Sequence, residues 1–92
     1  MKVTLKYTSQ AKLFAGKASE DIEIFDGASV AQLIQNIAAR DNPSLRNLLI
    51  SEDGTARQSY LVFVGDRCLR GNADDLLSHN DEITIMSMIS GG

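Results

Sequence analysis

The feature that most constrains the fold of this chain is a change of hydrophobic period in its N-terminal half. In residues 3–7 and again in residues 20–25, apolar and polar side chains alternate. A period of two is typical of half-buried strands, and these two strands are close enough in sequence to pair antiparallel. Between them, residues 9–15 are expected to form a short helical turn that Gly16 stops.

The third pattern is helical and covers residues 29–40. Ser29 is a candidate N-cap, and Gln32 three residues later completes a capping box. Asn42-Pro43 cannot continue the helix, because proline lacks the amide hydrogen that a helix requires. Residues 44–50 are predicted to form a second short helix or turn over one edge of the core. The apolar stripe of the main helix consists of Val30, Leu33, Ile34, Ile37 and Ala38.

The second half of the chain contains three further strand patterns. Residues 60–64 are an unbroken apolar run, and Gly65-Asp66 fits a tight turn into a short strand at residues 67–70. The last strand is predicted at residues 82–88. A reversal at Asn80 precedes it, since asparagine tolerates a left-handed backbone.

Two connecting segments complete the pattern. Residues 51–58 are polar and are predicted to form a flexible loop. Leu76 and Leu77 are both expected to pack inward. A hairpin followed by one main helix and more strands predicts a two-layer α+β sandwich, in which the helix covers one sheet face and the other stays partly open. The first and last strands are expected to lie parallel in the middle.

Composition limits the classes of function. The 92 residues carry a net charge of −3, with no Lys or Arg after Arg70. Nucleic-acid affinity depends on clustered basic groups that displace phosphate counterions, so no nucleic-acid partner is expected. No apolar stretch approaches membrane-spanning length, and no signal-peptide pattern follows Met1. These observations predict a cytoplasmic protein with no membrane partner.

The last strand presents two different faces. If Ile83 and Ile85 point to the core, Met86 and Met88 lie on the open face. Methionine is flexible and polarizable, so it suits a binding surface that adapts to a partner. The alternative is that both methionines are half-covered packing residues, since single exposed apolar side chains are common.

The sequence ends with Ile89, Ser90, Gly91 and Gly92. Two glycines without side chains can pass through a narrow channel and adopt backbone angles closed to other residues. Their terminal carboxylate is unhindered, and an extended segment from Ser87 onward would reach roughly 20 Å. The alternative is a frayed terminus without a role.

Residues 80–92 combine an aspartate–glutamate pair at a turn, alternating aliphatic residues and a terminal Gly-Gly. This pattern resembles the MoaD/ThiS sulfur carriers, which are β-grasp relatives of ubiquitin. The resemblance also includes residues 13–16, the helix at residues 29–40 and the hairpin at residues 60–70, and so spans nearly the whole chain. Many members of the family carry proline where this chain has Ser87.

This resemblance implies a β-grasp domain at residues 1–86, with a mixed sheet of four to five strands on one main helix. It also implies a flexible functional tail at residues 87–92. In such carriers a ubiquitin-activating-type adenylating enzyme uses ATP to form an acyl-adenylate at the terminal glycine. A sulfur donor then displaces AMP and leaves a thiocarboxylate, whose sulfur a second partner, a synthase subunit, accepts.

By the same resemblance, Gly92 would be the acceptor and Gly91 would give clearance. The protein would be a cosubstrate and not an enzyme, would bind no cofactor or metal, and would be most like the small subunit of molybdopterin synthase. Met86 would belong to the partner-binding surface. Three residues would line the partner's channel: Met88, Ile89 and Ser90.

Other sites and functions are open to the same sequence. Cys68 and His79 could form a nucleophilic pair, although a buried cysteine and a solvated turn histidine are favoured. The acidic pairs Asp74-Asp75 and Asp81-Glu82 lack the spacing of an oxygen-ligand loop and are expected to face solvent. A ubiquitin-like modifier, joined through Gly92 to a lysine of another protein, and a plain interaction module remain as alternative functions.

Overall fold

The computed structural model describes residues 1–51, 53, 60–69 and 75–87. Within these ranges the chain forms one five-stranded sheet and three helices. The strands are β1 (Lys2–Thr8), β2 (Ser19–Glu23), β3 (Tyr60–Val64), β4 (Arg67–Leu69) and β5 (Glu82–Ser87). The helices are α1 (Gln10–Ala15), α2 (Val30–Ala38) and α3 (Pro43–Leu49).

The order of strands in the sheet is β2-β1-β5-β3-β4. The central strands β1 and β5 are parallel, with Leu5 opposite Ile83, and the other neighbouring pairs are antiparallel. Parallel neighbours need a long crossover connection, and the chain between β1 and β5 includes α2. A mixed sheet with one main helix is the β-grasp arrangement. The predicted fold class and the central parallel pair are therefore confirmed.

Helix α2 packs on the sheet through the predicted apolar stripe. All five stripe residues are buried, and each of the four larger ones, the valine, the leucine and the two isoleucines, contributes about 1.5–3 kcal/mol relative to exposure. The capping box is also present: Gln32 N donates to Ser29 Oγ (3.2 Å), and Ser29 N donates to Gln32 Oε1 (2.8 Å). Other core residues come from the strands and α3: Val3, Leu5, Tyr7, Ile22, Leu45, Leu48, Leu49, Val62, Ile83 and Ile85.

The connection from α2 to α3 depends on Asn42. Helix α2 ends at Ala38, two residues before the predicted limit, and Pro43 opens α3. Asn42 Oδ1 accepts a hydrogen bond from Leu45 N (3.2 Å) and so caps α3. Its Nδ2 donates to Phe14 O at the end of α1 (2.8 Å). The predicted second short helix is therefore confirmed as α3, and the Asn42 side chain joins it to α1.

Strand β2 lies earlier in the chain than predicted. Ile24 is buried but follows the strand, and its amide donates to Met1 O (2.9 Å) while the Met1 ammonium donates to Ile24 O (2.7 Å). The chain then reverses at Gly27, whose φ of 84° is in the left-handed region. This turn leaves Phe25 outside the core, with 59% of its surface exposed.

The prediction that both Leu76 and Leu77 pack inward is wrong for Leu76. Leu77 is buried, whereas Leu76 is 68% exposed. Leu76 forms an isolated antiparallel bridge with Ser29. Neighbouring residues of an extended segment point to opposite sides, so only one of the two leucines can reach the core.

The remaining turns agree with the sequence. Asn80 has a φ of 70° before β5, and Gly65 has a φ of 60° in the β3–β4 turn. Arg70 and most of the predicted loop at residues 51–58 lie outside the described residues. Within the described ranges, none of the helices has the length and apolar character needed to cross a membrane.

Candidate partner-binding site at the end of the central strand

Strand β5 is the middle strand of the sheet, and the last described residue of the chain, Ser87, lies at its C-terminal end. Thr8, the last residue of β1, lies opposite Met86, and Tyr60, the first residue of β3, lies opposite Ser87. The end of β5 is therefore held by strands on both sides. Of the six residues of the predicted tail, Ser87 is the last residue of β5. The other five lie outside the described residues: Met88, Ile89, Ser90, Gly91 and Gly92.

Ser87 is buried at this end of β5, with 7% of its surface exposed. Its Oγ accepts a hydrogen bond from Gln10 N at the start of α1 (3.2 Å). Thr8 Oγ1 donates to Ile85 O (3.4 Å) in the same region. The end of β5 is thus attached to β1 and α1 by side chains as well as by strand pairing.

The two faces of β5 are those expected from its sequence. Ile83 and Ile85 are fully buried, and Met86 is half-buried on the opposite face. Directly opposed residues of neighbouring strands share a face, so Leu61, opposite Met86, also lies there. Phe63 and Cys68 oppose each other in the next row of this face.

These four half-buried residues, Leu61, Phe63, Cys68 and Met86, form the open-face patch. The sequence analysis named only Met86. The unbroken apolar run of β3 contained the missing signal, because such a run makes both faces of a strand apolar. Because α2 covers only one face of the sheet, the apolar side chains of β3 on the other face are accessible.

The β1–β2 half of the same face is polar. Lys6 Nζ lies 3.1 Å from Glu82 Oε1, and Thr4 Oγ1 donates to Asp21 Oδ1 (3.0 Å). These groups are exposed, so their ion pair contributes little to stability. They border the open-face patch and give this sheet face one apolar and one charged half.

Cys68 is not the buried residue that was predicted. Its register opposite Phe63 places it half-exposed on the open face, while the adjacent Leu69 faces the core. His79 is exposed in a turn, as predicted, and its Nδ1 accepts from Lys2 N (3.0 Å) at the start of β1. Strands β1 and β4 are three strand spacings apart, about 14 Å. The structure therefore does not bring Cys68 and His79 together as a nucleophilic pair.

The acidic turn residues have local partners. Asp75 Oδ2 lies 3.0 Å from Arg67, and Asp81 Oδ2 accepts from Ser78 N (2.8 Å). Asp74 lies outside the described residues. In the part of the chain that the structure describes, no three His, Cys, Asp or Glu side chains are grouped to hold a metal ion.

A half-buried polar cluster lies on the core side of the same end of the sheet. Tyr7 Oη donates to Glu20 Oε2, and Arg40 donates to Glu20 Oε1, each at 2.7 Å. Burial raises the pKa of Tyr7, and the hydrogen bond to Glu20 raises it further. Burial alone would raise the pKa of Glu20, but the hydrogen bonds from Tyr7 and Arg40 outweigh it and hold that pKa below its ordinary value. The cluster ties the end of α2 to the β1–β2 hairpin.

The family follows from comparison of this sequence with known proteins. The model of the ThiS family matches residues 5–92. The chain belongs to the ThiS family. The match includes the terminal Gly91-Gly92. No curated protein matches the sequence.

Several solved structures are similar to this member of the ThiS family over nearly their full lengths. SAMP1 from Haloferax volcanii has a TM-score of 0.86 at 16% identity, with 100% of both chains covered. A protein named molybdopterin converting factor, subunit 1, from Pyrococcus furiosus has a TM-score of 0.77 at 25% identity, with 97% and 99% covered. A chain of the BexX/CysO complex from Amycolatopsis orientalis has a TM-score of 0.69 at 23% identity, with 98% and 99% covered.

Proposed function

We propose that this protein is a sulfur carrier whose C-terminal Gly92 is adenylated and then converted to a thiocarboxylate. The observation that carries the proposal is the ThiS-family match, which extends through the terminal Gly91-Gly92. The described fold supports it, because β5, the last strand, lies in the middle of the sheet and ends at Ser87, five residues before Gly92.

The chemistry explains why a carrier needs a partner enzyme. A carboxylate is a poor electrophile, so Gly92 must first be activated. A ubiquitin-activating-type enzyme would join the carboxylate to the α-phosphate of ATP and release pyrophosphate. A sulfur donor would then attack the carbonyl carbon, and AMP would leave. The resulting sulfur is anionic at neutral pH and hence nucleophilic, as a thiolate is.

In this scheme the protein is a cosubstrate and has no independent catalysis, cofactor or metal. Gly91 and Gly92 would enter the active site of the adenylating enzyme, because a backbone without side chains fits a narrow channel. Met88, Ile89 and Ser90 would line that channel.

The open-face patch is the proposed docking surface for the partners. It borders the end of β5, so an enzyme that covers the patch is positioned to receive the C-terminal segment. The patch would supply apolar area that the partner buries. The charged half of the same sheet face, with Lys6 and Glu82, would favour one orientation of docking.

We propose a molybdopterin synthase as the sulfur acceptor. Among the structures described above, the protein from P. furiosus has the highest sequence identity, at 25%, and its name is molybdopterin converting factor, subunit 1. The second partner would then be the larger, sulfur-accepting synthase subunit, and the work of the carrier would take place in the cytoplasm.

Intact-mass measurement tests the function directly. The protein is incubated with the adenylating enzyme of the same organism, ATP and a sulfide source, and controls omit ATP or use the chain without Gly92. Replacement of one oxygen by sulfur adds about 16 Da, and the proposal requires this gain only in the complete reaction. Larger covalent adducts without this gain would instead indicate a protein modifier, and an unchanged mass would indicate an unmodified interaction module.

A further inference from the structure

The N-terminus of α1 lacks a cap of its own. The first amides of a helix have no partner within the helix, and the N-cap side chain usually supplies one. Here the N-cap is Ser9, whose side chain makes no capping hydrogen bond and whose φ is 56°. The amide of Gln10, the first residue of α1, donates instead to Ser87 Oγ (3.2 Å). A residue 77 positions away thus serves as the cap.

This contact lies where the strand pairing between β1 and β5 ends. The paired positions stop at Thr8 opposite Met86, and Ser87 is the next residue of β5. On the other side Ser87 lies opposite Tyr60 in β3. The hydroxyl of Ser87 therefore extends the attachment of β5 to the β1 side by one residue, directly before the C-terminal segment.

Ser87 is also unusual in its burial. Among the described serine, threonine, asparagine, glutamine, histidine and charged residues it is the most buried, with 7% of its surface exposed. A buried hydroxyl is costly unless it is hydrogen-bonded. The bond to Gln10 N accounts for its presence, and it means that Ser87 cannot move away from α1 without leaving both groups unsatisfied.

We infer that the Ser87 hydroxyl is a positioning group that fixes where the reactive C-terminal segment leaves the domain. The inference rests on the proposed function, in which Gly92 reacts inside a partner. If Ser87 is held in place before docking, fewer residues lose conformational freedom when the partner binds than if the end of β5 were also free. The hydroxyl touches no reacting atom. Its loss should weaken docking and leave the chemical step of the bound complex unchanged.

The test compares Ser87→Ala, which removes the acceptor, with Ser87→Thr, which keeps a hydroxyl. Ser19→Ala is the matched control, because it removes an exposed hydroxyl from β2. Initial rates of pyrophosphate release by the adenylating enzyme of the same organism are measured against carrier concentration. We expect Ser87→Ala to raise KM about 2- to 12-fold at unchanged kcat, the range for one neutral hydrogen bond of about 0.5–1.5 kcal/mol. Ser87→Thr and Ser19→Ala should keep the wild-type KM.

Two further measurements separate positioning from folding. Thermal unfolding must show that each variant is folded at the assay temperature. Amide hydrogen exchange must be faster at Gln10 in Ser87→Ala, with the amides of Leu5 and Ile85 in the central strands unchanged.

The possible failures are distinguishable. A wild-type carrier that is never adenylated refutes the proposed function and the role of Ser87 with it. A wild-type carrier that reacts normally, with the same KM in folded Ser87→Ala, refutes the role of Ser87 alone. An equal rise of KM in Ser87→Ala and Ser87→Thr also overturns it, since the hydroxyl would then not be the important group.

Discussion

Replacement of Met86 by aspartate separates the contribution of the open-face patch to binding from its contribution to folding. Met86 is half-buried in the free protein, so a partner that covers the rest of the side chain would gain about 1 kcal/mol. Burial of a polar group without a partner costs about 1–3 kcal/mol in proteins. The lost gain and the added cost together weaken the binding free energy by about 2–4 kcal/mol, which corresponds to about 30- to 700-fold weaker binding.

Folding should change much less than binding. Met86 faces away from the core on which Ile83 and Ile85 pack. Its replacement should therefore cost about 1 kcal/mol of folding stability, the span measured for substitutions at strand positions. Ile85→Asp is the contrasting variant, because a carboxylate at that fully buried position should prevent folding.

Titration calorimetry with the adenylating enzyme measures the binding, and urea unfolding measures the stability. Asn36→Asp is the matched control, because it adds the same charge at an exposed position of α2, on the opposite side of the sheet. The reasoning would be refuted if folded Met86→Asp bound within about threefold of wild type, or if both aspartate variants weakened binding equally.

Three further predictions follow from the same structure. Deletion of Gly92, or addition of one residue after it, should abolish the mass gain of about 16 Da and leave the thermal midpoint unchanged, because terminal residues contribute little to a core; a large fall in the midpoint would contradict this. Ser29→Ala should lower the free energy of unfolding by about 1 kcal/mol, because it removes the cap of α2, and an unchanged urea midpoint would refute it. The pKa of Glu20 lies below its ordinary value of 4.5 in the folded state, so its ionised form stabilises the fold above pH 4.5, and this contribution is lost as the pH falls through the folded pKa. The stability difference between wild type and Glu20→Gln should therefore shrink on acidification below pH 4.5, and a difference that grows there would show that the sign is wrong.

The periodic segments of the sequence were sufficient to predict the strands, the main helix and the fold class. The α2 stripe and its Ser29–Gln32 capping box depend only on residues within about one helical turn of each other, so they are readable locally. The parallel pairing of β1 with β5 could also be predicted, because a crossover with one helix leaves few arrangements.

The errors concern side chains whose direction depends on distant parts of the chain. Leu76 was expected in the core, but its bridge with Ser29 turns it outward. Cys68 was expected to be buried, but its register with Phe63 places it on the open face. A shift of one residue in register moves a side chain to the other face, and neither register is visible in the short segment alone.

The polar contacts at the end of β5 were likewise beyond sequence reasoning. The bond between Ser87 and Gln10 joins residues 77 positions apart. The Tyr7–Glu20–Arg40 cluster joins β1, β2 and the residues after α2. Nothing in the local pattern of these residues indicates a partner, because the contact exists only after the sheet has formed.

The most direct measurement of the central claim is the location of the added sulfur. A gain of about 16 Da can also arise from oxidation of a cysteine or methionine, and Cys68 is half-exposed. Fragmentation of the intact sulfur-treated protein in a high-resolution mass spectrometer separates these cases. The account predicts that the whole gain lies on the fragment ending in Gly92, depends on ATP and has the exact mass of sulfur for oxygen. A gain located at Cys68 or at a methionine, with an unmodified Gly92, would contradict it.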